Sequence, residues 1–242
     1  MAGKVRLFVK HDLGQGQSVA LSREQAHYLF GVMRLGVGAQ VLLFNGQDGE
    51  WAADVAETGK RGGQLLCVRQ TSAQAMPPDL WLLFAPIKKA RTDFIVEKAV
   101  EMGVRRICPV LTDFTNSERV KQERLQAHAV QAAERWGATF VPEFAPAARF
   151  DRVLREWDAE RRIMFCDEAL AGRSSDLKGG SAGGWAVLIG PEGGFSETER
   201  GRLAHMACAQ AIALGPRILR ADTAAVAALT VWQTQLGDWG EV

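Results

Sequence analysis

The sequence predicts an α/β protein in which a small β-barrel precedes a larger domain built on a parallel sheet. The first seventy residues contain short apolar strands separated by turn residues. From residue 80 onwards, apolar runs alternate with helical patterns, which favours parallel strands joined by crossover helices. The segment 71–78 between them has little to bury, and its two prolines cannot donate ladder hydrogen bonds. We therefore assign residues 1–72 to the barrel and residues 78–242 to the α/β domain.

Composition and charge exclude several classes of protein. The 29 basic and 28 acidic residues give a net charge of +1, so contact with a nucleic acid would have to come from local basic patches. Cys67, Cys108, Cys166 and Cys208 are too far apart for a zinc or redox motif, and we expect reduced thiols and no metal. No apolar stretch is long enough for a membrane span, and residues 1–12 contain no apolar core of a signal peptide, which predicts a cytoplasmic protein.

The predicted barrel consists of four strands and one helix. Two Asx-Gly pairs, at 45–46 and 48–49, provide the turns between strands. A helix is predicted over Leu21–Met33, because Ser22 and Gln25 form the reciprocal capping pattern that satisfies free amides at a helix start. The predicted strands are Val5–Val9, Gln40–Phe44, Trp51–Glu57 and Gln64–Gln70.

The predicted α/β domain has five strands and four long helices. Ligands of parallel sheets bind beyond the carboxyl ends of the strands, so the turns that follow the strands are the places to search for a site. The predicted strands are Leu80–Ala85, Ile107–Leu111, Ile163–Cys166, Ala186–Ile189 and Ile212–Leu214. The predicted helices are Thr92–Met102, Glu118–Trp136, Glu197–Ala207 and Thr223–Leu236.

A glycine-rich turn, Gly190–Gly194, follows the buried strand Ala186–Ile189. Ser196 and Glu199 then cap a new helix. Glycines allow a ligand to approach the backbone closely, and a helix start offers unpaired N–H groups. The turn is suited to a small ligand, although glycines of this kind can also serve only to make a tight turn.

A second Gly-Pro turn, Leu214–Leu219, follows the last predicted strand, and Asp222 or Thr223 is suited to cap the helix after it. If the two strands are neighbours, both turns face one crevice. Arg217 and Arg220 keep their charge at any physiological pH and suit a phosphate or a developing anion. Either arginine could instead pair with a nearby carboxylate.

Basic residues also follow the first strand of the α/β domain, at Lys88, Lys89 and Arg91. They could contact an RNA backbone, or they could form a solvated face. The phosphate-binding loop of nucleotide hydrolases, the dinucleotide fingerprint, the nucleophile elbow and the zinc-protease motif are all missing from the sequence. Hydrolysis of nucleotides, dinucleotide redox chemistry and zinc catalysis are therefore disfavoured.

The two turns together resemble a known family. The string Leu188–Gly194 followed by Leu214–Ala224 is similar to the RsmE family of 16S ribosomal RNA methyltransferases, in the SPOUT superfamily. Further similar strings lie at 6–9, 32–35, 44–46 and 97–104. The resemblance covers nearly the whole chain.

The resemblance implies a fold and an activity. The fold is a PUA-like RNA-binding β-barrel followed by a SPOUT-type parallel sheet with a C-terminal trefoil knot. The activity is transfer of a methyl group from S-adenosylmethionine (SAM) to N3 of one uridine in 16S rRNA of the small ribosomal subunit. The family works as a homodimer, and helix Thr223–Leu236 offers apolar residues for a dimer face, although they would serve an internal core equally well.

The resemblance also implies roles for individual residues. We hypothesise that Arg217 or Arg220 stabilises negative charge on the uracil oxygens, with Asp222 or solvent as the base. A third cofactor loop is placed at Asp167 and Glu168. The cofactor residues implied are Leu188, Gly190, Pro191, Glu192, Gly193, Gly194, Leu214, Gly215, Arg217, Ile218, Leu219, Thr223 and Ala224. The RNA-binding residues implied are Arg34, Lys88, Lys89 and Arg91, where Arg34 could also be only a salt bridge of the barrel.

Some features depart from the family or leave alternatives. The chain has Arg220-Ala221-Asp222-Thr223 where the family has arginine-threonine-glutamate-threonine, so the carboxylate is one methylene shorter. Methylation of transfer RNA or of a ribose 2′-hydroxyl is a near alternative. A non-catalytic RNA-binding or ribosome-assembly protein is an alternative from another class.

Overall fold

A computed structural model of the chain describes residues 5–116, 120–172, 177–180 and 183–241. The described residues divide into two compact units. The first contains the residues up to Met76 together with 133–141, and the second contains residues 77–132 and those from Pro142 onwards.

The first unit is a five-stranded sheet in the order β1-β3-β4-β5-β2. Its strands are β1 (Arg6–Phe8), β2 (Ser18–Ala20), β3 (Gln40–Phe44), β4 (Glu50–Thr58) and β5 (Gly63–Ser72). The β1–β3 pair is parallel and the other pairs are antiparallel. The four predicted strands are confirmed. Strand β2 was missed because three residues, of which only Val19 is buried, are too short to show an alternating pattern.

The sheet curls around one apolar core. Val19, Leu29, Val41, Leu43 and Leu65 are completely buried in it. The predicted turns are confirmed, since the two glycines at 46 and 49 have φ angles of 85° and 77°. Those angles lie in the left-handed region that glycine adopts without strain.

The helix predicted over Leu21–Met33 is α-helical only at its start. The Ser22 capping box is present, and α1 extends over Arg23–Ala26. The chain then continues as a π-helix, His27–Val32, in which Met33 donates its N–H to the carbonyl of Tyr28, five residues back. A single α-helix was the wrong prediction here, because helical periodicity does not distinguish a four-residue step from a five-residue step over one or two turns.

Residues 133–141 are attached to the first unit by a nearly buried arginine. Arg6 pairs with Glu50, with 2.7 Å between Nε and Oε2, and lies over the ring of Phe44. Its two terminal nitrogens donate to the carbonyls of Ala133, at 2.6 Å, and Ala138, at 2.8 Å. These four contacts together hold the guanidinium group of Arg6 in place.

The second unit confirms the predicted α/β class. Its strands run in the order β12-β10-β11-β6-β7-β8, with β9 paired to β7, and every pair is parallel. They are β6 (Leu80–Phe84), β7 (Arg106–Leu111), β8 (Glu143–Phe144), β9 (Ala148–Arg149), β10 (Arg162–Cys166), β11 (Trp185–Ile189) and β12 (Ala209–Ile212). Strands β11 and β12 were expected to be neighbours, but β10 lies between them.

The helices of the second unit begin and end close to the predicted positions. They are α2 (Lys89–Glu101), α3 (Gln122–Trp136), α4 (Phe150–Arg155), α5 (Glu197–Ala204) and α6 (Ala221–Gln235). The last four residues of α3 belong to the first unit, and the predicted start of this helix at Glu118 lies outside the described residues. Helix α4 and the short strands β8 and β9 were missed.

Two boundaries near the predicted site were wrong. The last strand was predicted over Ile212–Leu214, but residues 209–212 pair with β10 and Leu214 lies beyond the strand. Helix α6 was expected to be capped by Asp222 or Thr223, but its N-cap is Arg220, which makes no side-chain capping bond. The connection between the strand and the helix therefore lies at 213–220, two residues earlier than the predicted 215–222.

Helices cover both faces of the parallel sheet. All five residues of β11 are buried, and α6 packs against β11 and α2. On the other face, Phe150, Phe165, Phe195 and Leu203 form a second core cluster. The C-terminal trefoil knot stays a prediction. Among the described residues, no helix combines the length and apolarity that crossing a bilayer requires.

Candidate functional site: a pocket at the carboxyl edge of the parallel sheet

Three loops that follow β10, β11 and β12 form one pocket in the second unit. About 510 Å³ of space outside the protein atoms, part of it open to solvent, lies between them. Its apolar wall includes Ile189, Ile212 and Leu219, and its charged groups are Asp167, Glu168 and Arg217. Because all three strands are parallel, their carboxyl ends lie at the same edge of the sheet, and β10 between β11 and β12 does not separate the two glycine turns.

The first glycine turn has little room for side chains. A Cβ atom on Gly190 would lie 3.3 Å from the ring of Phe195. Gly194 has a φ angle of 66°, and its Cβ atom would lie 2.6 Å from Cδ of Glu168. Ser196 and Glu199 cap α5 reciprocally, as predicted. The turn is therefore fixed by close packing on one side and by a capped helix on the other.

The second glycine turn presents bare backbone. Gly215 has a φ angle of 96°, and no heavy atom lies within 4 Å of the position that its Cβ would take. Its carbonyl accepts a hydrogen bond of 3.0 Å from the N–H of Gly172. A ligand in the pocket can therefore approach this turn without meeting a side chain.

The loop after β10 connects both glycine turns. Asp167 accepts a hydrogen bond from the N–H of Ala169 and begins a short 3₁₀-helix, Glu168–Leu170. Arg200 of α5 pairs with Asp167 at 3.8 Å and with Glu168 at 3.4 Å. Glu168 packs on Gly194, and Gly172 bonds to Gly215. The loop after β10, which the family resemblance gave as the third cofactor loop, therefore contacts both glycine turns.

Eight of the thirteen residues proposed for the cofactor line this pocket. They are Gly190, Pro191, Leu214, Gly215, Arg217, Ile218, Leu219 and Ala224. Five do not. Leu188 points into the core, because a residue inside a fully buried strand has no free face. Glu192, Gly193, Gly194 and Thr223 lie beside the pocket and not in its lining.

Sequence reasoning missed five residues of the lining. They are Cys166, Ala171, Ile189, Ile212 and Ala221. Ile189, Ile212 and Cys166 are the last residues of their strands, so the position of a strand end was the signal that could have found them. Burial raises the pKa of the Cys166 thiol to about 12, so this pocket thiol is a neutral side chain at physiological pH.

The proposed catalytic residues lie around one end of the pocket. Arg217 is exposed and lines it, and Arg220 is exposed at the start of α6. Neither arginine has an ion pair within the described part of the chain. Asp222 accepts a hydrogen bond from the N–H of Thr223, and its other carboxylate oxygen lies 3.8 Å from Nε of Arg91. The structure therefore brings all three residues to the same helix start.

The basic residues proposed to bind RNA have different surroundings. Arg91 lies between two carboxylates, Glu192 at 3.4 Å and Asp222 at 3.8 Å, and so connects the first glycine turn to α6. Lys88 and Lys89 are exposed at the start of α2. In the first unit, Arg34 is exposed in a left-handed backbone conformation, with a φ angle of 56°.

A fourth loop at this edge of the sheet, residues 112–115 after β7, was not predicted. Its backbone is fixed by Glu199, whose carboxylate is 2% exposed and accepts a hydrogen bond of 2.9 Å from the N–H of Asp113. Ser196 donates to the carboxylate of Asp113 at 2.6 Å. Phe114 at the tip lies against Gly193 and is 46% exposed. The sequence shows the capping pair Ser196 and Glu199, but it does not show that Glu199 also accepts a hydrogen bond from Asp113.

Comparison with known proteins places the chain in a family. Residues 74–233 match the RNA methyltransferase domain family, and residues 21–66 match the RNA methyltransferase PUA domain family. A ribosomal RNA small subunit methyltransferase E from Synechocystis is 30% identical over 218 residues, which cover 88% of this chain and 71% of that protein. The chain belongs to the ribosomal RNA small subunit methyltransferase E family. A member from Rickettsia conorii is 28% identical over 228 residues, with 93% of each chain covered.

Solved structures of similar proteins agree with this fold. The methyltransferase E from Neisseria gonorrhoeae, bound to SAM, superposes with a TM-score of 0.89 at 27% identity and covers 98% of this chain and 100% of its own. A Legionella pneumophila protein in complex with SAM gives a TM-score of 0.87 at 26% identity, with the same coverage. The resemblance to this family is therefore confirmed, and so is the fold class that it implied, a PUA-like sheet followed by a parallel α/β domain; the trefoil knot stays a prediction.

Proposed function

We propose that this methyltransferase E family member transfers a methyl group from SAM to N3 of one uridine in 16S rRNA of the small ribosomal subunit. The observation that carries the proposal is a single pocket formed by three strand-end loops, with Arg217 in its wall and Arg220 beside it. Relatives over nearly the whole chain are ribosomal RNA small subunit methyltransferases, and two similar structures hold SAM.

The residues of the pocket fit SAM. Apolar side chains such as Ile189 and Ile212 suit the adenine ring, and the bare backbone at Gly215 allows close approach to polar atoms. Asp167 and Glu168 can accept hydrogen bonds from hydroxyl or ammonium groups. When bound there, SAM supplies an electrophilic methyl group.

The two arginines provide the charge that the reaction needs. N3 of uridine carries a proton at neutral pH, and loss of that proton spreads negative charge over the uracil oxygens. Arg217 and Arg220 are exposed and have no carboxylate partner among the described residues, so they remain available to that charge. A donor already in place where charge develops stabilises the transition state, as in an oxyanion hole.

Asp222 serves to orient its neighbours. Its carboxylate already accepts from Thr223 and pairs with Arg91. We assign the proton of N3 to solvent, and to Asp222 the task of holding Arg91 against the first glycine turn. The shorter side chain at this position, compared with the glutamate of the family motif, suits that task.

The RNA contacts proposed are distributed over both units. Lys88 and Lys89 lie exposed at the edge of the sheet that holds the pocket, and would each neutralise a phosphate. Arg34 and the PUA-like sheet would add contacts in the first unit. Arg91, in contrast, pairs with Glu192 and Asp222 and so holds the first glycine turn to the start of α6.

The test is transfer of tritium from labelled SAM to small subunits that lack the modification, followed by identification of the nucleoside. We expect 3-methyluridine from the wild-type protein. Arg220→Ala is expected to reduce kcat while SAM binding, measured by calorimetry, and RNA binding are kept. Asp222→Asn is expected to keep most of the activity, because the amide oxygen can still accept from Thr223 and Arg91 keeps its other partner, Glu192.

Other results would contradict the proposal in distinct ways. A methylated 2′-hydroxyl, or transfer to transfer RNA alone, would move the assignment to a different RNA methyltransferase. If the wild-type protein does not bind SAM, a non-catalytic RNA-binding role would be favoured. Normal transfer by Arg220→Ala would remove the arginine from the mechanism.

We also infer that the protein works as a homodimer in the cytoplasm, where its ribosomal substrate is found. In α6, the residues Ala228, Leu229 and Trp232 are buried within one chain and so serve its own core. Val226 and Val231 of the same helix remain partly exposed and are the residues left for a partner. Val231→Asp is expected to yield monomers in sedimentation experiments.

A further inference from the structure

The loop that carries Phe114 is held more firmly than an exposed turn requires. Thr112 and Thr115 bond to each other through a backbone N–H at 2.9 Å and through their hydroxyls at 2.8 Å. Glu199 of α5 and Ser196, the N-cap of that helix, then hold Asp113. A fully buried carboxylate is thus used to fix the backbone of this loop.

This firmly held loop presents an aromatic ring to solvent. Phe114 is 46% exposed and has no aromatic partner within the described ranges. A Cβ atom added to Gly193 would lie 3.2 Å from Cβ of Phe114 and 3.5 Å from its ring, so Phe114 covers the first glycine turn. The adjacent Glu192 pairs with Arg91, which also pairs with Asp222. The ring therefore stands beside the groups that surround the proposed reaction site.

We propose that Phe114 is a stacking platform for an unpaired base of the RNA substrate. This inference rests on the function proposed above. An exposed aromatic ring offers an apolar face that every base can stack on, and a rigid loop loses little conformational freedom when it does so. The exposed cations Lys88, Lys89 and Arg217 at the same edge of the sheet supply the matching charge for the phosphates.

A base in this position is adjacent to the target. Phe114 touches Gly193, which lies beside the pocket and not in its lining. A ring placed outside the pocket holds a neighbouring nucleotide, whereas the target uracil has to reach Arg217 in the pocket wall. Phe114 therefore acts on RNA affinity and leaves SAM affinity unchanged.

The experiment compares Phe114→Leu, Phe114→Tyr and the wild-type protein. Leucine keeps an apolar cover on Gly193 but has no ring face, whereas tyrosine keeps both. We expect Phe114→Leu to raise the KM for unmodified small subunits about tenfold, equivalent to about 1.4 kcal/mol, because stacking contributes about 1–3 kcal/mol per base. The KM for SAM and the melting temperature should stay at wild-type values, and Phe114→Tyr should match the wild type. Trp239→Ala, which removes another half-exposed aromatic ring, should leave the KM values for subunits and for SAM unchanged.

Several results would overturn the inference. They are an unchanged KM for subunits in Phe114→Leu, a parallel rise in the KM for SAM, or a shift in sedimentation that assigns the ring to a second copy of the chain. If the wild-type protein transfers no methyl group, the proposed function fails by itself. Filter retention of small subunits by the same variants then decides the role of Phe114, since weaker binding by the leucine variant alone supports it and equal binding refutes it.

Discussion

Replacing Gly194 by alanine should distort the first glycine turn and, with it, the pocket. Gly194 has a φ angle of 66°, and the new Cβ would lie 2.6 Å from Cδ of Glu168. Since Glu168 is a flexible side chain, it can turn away, but it then loses its pair with Arg200. The substitution therefore disturbs the first glycine turn and the acidic loop together.

The expected cost follows from these two effects. A residue with a side chain in the left-handed region costs about 1–2 kcal/mol. The Glu168–Arg200 pair is about one-third exposed on both sides, so its loss costs about 0–1 kcal/mol. The total is about 1–3 kcal/mol, which lowers the melting temperature by roughly 3–10 °C for a chain of this size.

Calorimetry tests both consequences. A scanning experiment should show the lower melting temperature, and a titration should show weaker SAM binding for Gly194→Ala. The control is Gly201→Ala in α5, where no atom lies within 4 Å of the new Cβ. That change should stabilise the helix by about 0.5–1 kcal/mol and leave SAM binding unchanged. If Gly194→Ala melts and binds SAM like the wild type, the close packing of Glu168 on this turn has no role in the pocket.

Three further predictions concern buried and titrating carboxylates. Glu199→Ala removes the acceptor of two backbone N–H groups, at Asp113 and Ser196. It should destabilise the protein by about 2–4 kcal/mol in denaturant titrations. The control, Arg202→Ala, breaks only an exposed pair with Asp151 and should stay within about 1 kcal/mol of the wild type. The N–H of Leu13 and the amide of Asn45 lower the pKa of Asp48 from 3.8, so its stabilising effect is present above pH 3.8 and is lost as the pH falls through the lower folded-state pKa. Asp48→Asn should therefore flatten the acid side of the stability curve, and an unchanged curve would remove Asp48 as its cause. Burial raises the pKa of Glu134 above 4.5, against the opposing effects of the Phe8 N–H and Arg6. The folded state therefore holds the proton more tightly than the unfolded state, and stability falls as the pH rises from 4.5 to the folded-state pKa. Glu134→Gln keeps an acceptor for Phe8 and should remove this fall in urea titrations between pH 4 and 7; persistence of the fall would assign it to another group.

Local features of the fold were predictable from the sequence. Both capping boxes, at Ser22 and at Ser196, are present because each depends on residues three positions apart. The strand before the first glycine turn was evident from its apolar run, and all five of its residues are buried. The family resemblance added the third loop, by its order along the chain, at Asp167 and Glu168, which both line the pocket.

Features set by contacts distant in sequence were not predictable. The order of β10, β11 and β12 depends on crossover connections that leave no mark on any one strand. The start of α6 was placed two residues late, because Asp222 resembles a capping residue but pairs with Arg91. Phe114 was overlooked because its loop is held by Glu199, which lies 86 positions away.

The attachment of residues 133–141 to the first unit has a consequence for biosynthesis. The carbonyl groups that receive the Arg6 guanidinium belong to Ala133, Glu134 and Ala138. They leave the ribosome about sixty residues after Met76, which corresponds to a delay of roughly 3–12 s at ordinary elongation rates. During that interval the newly made amino-terminal sheet carries a cation whose three carbonyl acceptors do not yet exist. The unit that is translated first is therefore completed only after residues 77–132 of the second unit have been translated.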